Sequence, residues 1–95
     1  MANEYDERQL FLMRKQIEGF EEGALTLADL VLRLEALLCF LPHVEPEWRK
    51  RFDTEWINLE ICNASQLSNG VLSEHDRAAV TRHIANLKDL LAQVP

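Results

Sequence analysis

Ninety-five residues with 47% hydrophobic side chains are enough for one domain with a real core and too few for several, so a single compact unit is expected. A formal net charge of −6 argues against direct contact with nucleic acid, whose phosphates are held by Lys and Arg, and in favour of a basic protein partner reached through complementary fields. The acidity lies in the first half: positions 1 to 47 hold ten acids and four bases, positions 48 to 95 six of each.

The N-terminal MANEYDERQL carries Glu4, Asp6 and Glu7 and has no apolar run, which is not the pattern of a secretory signal; a cytoplasmic location is expected. Abundant Leu, Ala and Glu, with three glycines and three prolines, favour helices, because straight-chain side chains lose little rotamer freedom there.

From about Asp6 to Glu22, apolar residues recur at Leu10, Met13, Ile17 and Phe20, the three-and-four spacing of one helical face. Gly23 stands where a left-handed closing residue is wanted. Gly19 weakens the helix and suits a close helix crossing.

Thr26-Leu27-Ala28-Asp29 has the form of a capping box with Asp in place of Glu. The second helix is expected from Leu27 to Leu41, with Leu27, Leu30, Leu34, Leu37 and Leu41 inward and Val31 and Leu38 beside them. Its polar residues and the proline at 42 leave about 24 Å of helix, short of the roughly 30 Å hydrocarbon layer, so a core helix fits and a membrane span does not.

Pro42 to Pro46 reads as a connector, and Pro46 suits the first turn of a third helix running to about Leu67. Its inward line is Trp48, Phe52, Trp56, Leu59 and Asn63, with Ile57, Ile61 or Ala64 beside it. Ser73 caps a fourth helix from about Glu74 to Gln93, with Val80, Ile84, Leu87 and Leu91 buried. Short connectors join antiparallel neighbours, so the expected fold is all-α, a four-helix antiparallel bundle running up-down-up-down.

Catalytic and metal motifs are not found. His43 follows Cys39 across a proline, His75 and His83 are eight residues apart, and no paired ligand spacing occurs. Cys39 and Cys62 fall roughly 20 Å apart in a helical hairpin, beyond a disulfide. The serines sit at helix ends, and no nucleophile or phosphate-loop signature appears. No enzyme activity and no cofactor are expected.

The carboxylates are the informative residues. Glu18, Glu21 and Glu22 close the first helix and Asp29 opens the second, which predicts a strongly negative corner. Glu35 and Glu60 each follow a core leucine at the edge of an apolar row. Each is either an interior clamp with a hydrogen-bonding partner or a display site on the rim of a binding face. The run Arg49-Lys50-Arg51 points three ways on a helix and makes no single patch.

The segment Ile17-Glu18-Gly19-Phe20-Glu21-Glu22-Gly23-Ala24-Leu25-Thr26-Leu27-Ala28-Asp29-Leu30-Val31, followed by Leu34-Glu35-Ala36-Leu37 and by Trp48, Phe52, Trp56 and Leu59-Glu60, resembles small acidic helical immunity proteins of bacterial toxin systems such as contact-dependent growth inhibition. The resemblance covers roughly residues 10 to 67. It implies a cytosolic antidote that binds a cognate toxin and blocks it without catalysis. The candidate partner contacts are Glu18, Glu21, Glu22, Asp29, Glu35 and Glu60. The alternative is a structural or regulatory interaction module, in one version a homodimer, suggested by Phe11, Leu12, Leu32 and Phe40 outside the main apolar rows. A ligand carrier or small enzyme would need a pocket among the helices.

Overall fold

The computed structural model describes residues 4 to 41 and 44 to 93, Glu4 and Tyr5 through their backbone alone. The expected connector residues Pro42 and His43 lie outside the described residues. The described chain is all-helical: α1 spans Glu4–Glu21, α2 Leu27–Leu38, α3 Pro46–Asn69 and α4 Glu74–Gln93. No described helix is long and apolar enough to cross a membrane.

Each helix packs on the next in sequence, and α1 also meets α4; the pairing of α3 with α4 is the most extensive and that of α1 with α4 the slightest. The inward rows build one core. Leu10, Met13 and Ile17 meet Leu27, Leu30, Val31 and Leu34, and Phe52, Leu59, Ile84, Leu87 and Leu91 complete it. The Trp48 and Phe52 rings stack with centroids 5.4 Å apart.

The helix ends follow local chemistry. Gly23, at φ 84°, closes α1 with its N–H on the Phe20 carbonyl and the Ala24 N–H on that of Gly19, at 3.0 and 2.8 Å, the paired bonds of a Schellman turn. Gly19 itself lies beside the Leu25 side chain, so its neighbour is the turn folding back and not a crossing helix. Thr26 caps α2 as expected: the Asp29 N–H donates to its Oγ1 at 3.1 Å, and the Asp29 carboxylate accepts from the Thr26 N–H.

α2 ends at Leu38, three residues short of the expected Leu41. The Phe40 and Leu41 N–H groups reach back only three residues, to Leu37 and Leu38, a tightened last turn. A residue before proline is pushed out of the helical region, which stops Leu41 from continuing the helix. The turn carries Leu41 into the core, fully buried, and leaves Cys39 and Phe40 exposed.

Two bonds join distant elements at the end of α4. The last four carbonyls of a helix have no partner within it. Trp48 Nε1 donates to the Leu90 carbonyl at 2.8 Å and Arg14 Nη2 to that of Leu91 at 2.6 Å. A tryptophan of α3 and an arginine of α1 thus cap α4, whose own last turn carries no basic residue.

Candidate functional site

The acidic corner is weaker than its sequence suggests. Glu18 pairs with Lys15 at 3.3 Å, and Glu21 with Lys88 of α4 at 3.1 Å. Asp29 is engaged in the α2 cap, with its Oδ2 3.5 Å from the Thr26 nitrogen. Glu22 is exposed and has no ion pair among the described residues. The expectation of a strongly negative corner is corrected: lysines offset two of its four carboxylates. Lys88 lies 67 residues from Glu21, beyond any local reading; Lys15, one turn before Glu18, was within reach of one.

The interior-clamp reading also fails. Glu35 is exposed, Glu60 is half-buried, and neither side-chain carboxylate has a hydrogen-bond or ion-pair partner among the described residues. The reason lies in helix rotation: Glu35 and Glu60 are each one residue past a buried leucine, about 100° round the helix from Leu34 and Leu59. Both carboxylates remain open to a partner.

The two glutamates stand on helices that pack against each other, α2 and α3. Trp56 Nε1 of α3 donates to the Val31 carbonyl of α2 at 2.9 Å, which fixes the register of the two helices. Leu32 follows Val31 with 66% of its surface exposed, and Ile57 and Ile61 follow Trp56 with 50% and 60%. Ile57, Ile61 and Ala64 fall at four- and three-residue steps along one line of α3, opposite the buried Phe52 and Leu59. The expectation that Ile57, Ile61 or Ala64 would widen the core is therefore overturned. α3 carries two apolar rows about half a turn apart, and only one can face inward; that double pattern was the available signal.

The charges on this face have one sign. No Lys or Arg occurs in α3 after Arg51, whereas Asp53 and Glu60 lie within a turn of Ile57. The lone base of α2, Arg33, donates to Gln16 of α1 at 3.0 Å, on the other side of α2. Arg49 and Lys50 stand at the N-terminal end of α3, before the apolar line begins.

A second polar cluster ties α3 to α4. His83 Nδ1 lies 2.5 Å from Glu55 Oε2, and Asn86 Nδ2 donates to Glu55 Oε1 at 3.2 Å. Glu55 and Asn86 border a recess of about 300 Å³ that Arg51, Thr54 and Asp89 also line. A carboxylate that orients an imidazole is half of an acid–base arrangement. The adjacent hydroxyl, on Thr54, donates instead to the Lys50 carbonyl at 3.0 Å, so the cluster holds the two helices together and presents no activated nucleophile.

A groove of about 410 Å³ runs along the slight α1 and α4 contact, floored by Phe20, Val80 and Ile84 and bridged by the Glu21 and Lys88 pair. No group of three or more His, Cys, Asp or Glu among the described residues could hold a metal ion. The thiols differ: Cys39 is exposed at the end of α2, and Cys62 is buried, its pKa raised by that burial and by Asp76, with Arg82 opposing. No protein-family model, curated protein or solved structure matches the chain.

Proposed function

We propose that this chain is a non-enzymatic protein-binding protein of the cytoplasm, and specifically an antidote that covers the basic working face of a cognate toxin domain. The observation that carries the reading is the α2 and α3 outer face, where exposed Leu32, Ile57 and Ile61 lie beside Glu35 and Glu60, carboxylates without internal partners. Apolar side chains grouped on a surface mark an interaction site. Free carboxylates beside them select a partner rich in Arg and Lys by charge-assisted hydrogen bonds. Glu22 extends the acidic surface at the α1 and α2 corner, with Glu18, Glu21 and Asp29 in supporting positions.

The neighbour pairings of the helices are compatible with an up-down-up-down bundle, a scaffold rigid enough to present such a face without a loss of order on binding. The alternative reading is an interaction module that pairs with a second copy of itself through the same apolar residues.

Affinity capture of the tagged chain from its native cells tests the function. The expected result is one partner in near-equal amount, with a basic surface, whose expression alone arrests growth and whose effect is relieved when the chain is co-expressed. A chain recovered alone and monomeric, or a partner with no toxicity for the chain to relieve, overturns the antidote role.

A further inference from the structure

The outer face of α2 and α3 is specific enough to name the element that covers it. We propose that it receives a single basic amphipathic helix of a partner protein, laid along α3 beside α2. The inference rests on the protein-binding reading and adds to it the shape and charge of what is bound.

Ile57, Ile61 and Ala64 stand in a line about 10 Å long, at the spacing that matches the apolar row of another helix. The small, exposed Ala64 side chain lets a second backbone come close, and on α2 Leu32 is exposed one residue after Val31. Half-buried Trp56, bonded to the Val31 carbonyl, supplies a rigid aromatic edge where α3 meets α2, the side-chain type most often found at the centre of an interface.

The charges decide the occupant. Glu35 stands on the α2 side, and Glu60 and Asp53 on the α3 side, with no cation in α3 beyond Arg51. A helix with an apolar row and Lys or Arg on its flanks places cations against both rims at once. A second copy does the opposite. Paired symmetrically through Ile57 and Ile61, it sets Glu60 beside the Glu60 of its mate, between two chains that each carry a net charge of −6. Like charges brought together at an interface are what excludes wrong partners.

A synthetic peptide of about five helical turns tests the proposal. It carries Leu at the repeating three-and-four positions with Lys and Arg on both sides, and it is compared with a scrambled peptide of the same composition and with one whose bases are replaced by Glu. Backbone amide spectra of the full chain locate binding, and light scattering gives its oligomeric state. The expected result is a monomer in which the basic amphipathic peptide alone shifts Leu32, Trp56, Ile57, Glu60 and Ile61. Its affinity should fall about tenfold or more in Ile61→Asp and in Glu60→Lys, and stay within about twofold in Glu7→Lys, at an exposed carboxylate of α1 away from this face, since losing a central contact costs more than changing a remote charge. Far-ultraviolet dichroism checks that each variant is folded.

Equal binding by the scrambled peptide, or a footprint at the α1 and α2 corner, overturns the helix-receiving face while leaving a protein-binding chain. A dimer that Ile61→Asp dissolves makes the occupant a second copy. A monomer that none of the peptides perturbs on this face overturns the proposal, and the capture experiment then decides the broader reading by itself.

Discussion

Glu55 of α3 engages both His83 and Asn86 of α4, one carboxylate oxygen to each, at 2.5 and 3.2 Å. With the His83 and Glu55 side chains only 13% and 17% exposed, the bonds are partly screened from water. Replacing Glu55 by Ala removes both and leaves two half-buried polar groups unpaired, at a cost of about 1.5 to 3 kcal/mol. Asn86→Ala should cost about 1 kcal/mol. A denaturant titration of the two single variants and the double variant measures their coupling, and additive losses would show that Glu55 and Asn86 do not act as one unit.

The α2 cap predicts a second difference. Thr26→Ala leaves the Asp29 N–H without its acceptor and should lower stability by about 1 kcal/mol. Asp29→Ala should cost less, because its return bond to the Thr26 N–H is long, at 3.5 Å. Thermal unfolding of the two variants checks the order. A greater loss from Asp29→Ala would mean that the carboxylate acts chiefly through the helix dipole.

These two clusters also mark what was legible in the sequence. Thr26 with Asp29, and Ser73 with Asp76, stand in local patterns whose geometry covers three residues, and both caps are present, at 3.1 Å each. The buried row Val80, Ile84, Leu87 and Leu91 followed from helical period in the same way. What failed depended on tertiary contact. Lys88 meets Glu21 from another helix, so the negative corner was overstated. Ile57 and Ile61 are as apolar as Leu59, and period alone does not say which of two opposite rows turns inward. The neighbouring helices decide that, by offering Phe52 and Leu59 a filled core. Glu35 and Glu60 were found as residues of interest, but their open state came only with the rotation of each helix.

The thiols should separate cleanly. Cys39, exposed at the end of α2, should react with a thiol reagent in the native state, and Cys62, buried in α3, should react only when the chain opens. Burial and Asp76 raise the Cys62 pKa above its ordinary 9.0. The folded chain then holds that proton more tightly than the unfolded one, so this group leaves stability unchanged below the unfolded value and lowers it as pH climbs above about 9 toward the folded value. Cys62→Ala should flatten the alkaline fall in unfolding free energy relative to the parent. A parent and variant that fall in parallel would exclude the thiol as the cause.

The two tryptophans make similar bonds with different expected worth. Trp48 Nε1 donates to the Leu90 carbonyl, which lies in the last turn of α4, where helical partners run out. Its removal strands a buried acceptor. Trp56 Nε1 donates to the Val31 carbonyl, which lies four residues before Glu35 inside α2 and keeps a helical partner. Trp48→Phe should therefore cost about 2 to 3 kcal/mol, combining the orphaned carbonyl with the altered stack on Phe52, and Trp56→Phe about 1 kcal/mol or less. Equilibrium unfolding followed by far-ultraviolet dichroism, which does not depend on the ring removed, gives both values. If Trp56→Phe were the more damaging, the seam between α2 and α3 would be held mainly by that one bond, and the outer face built on it would be less rigid than its packing indicates.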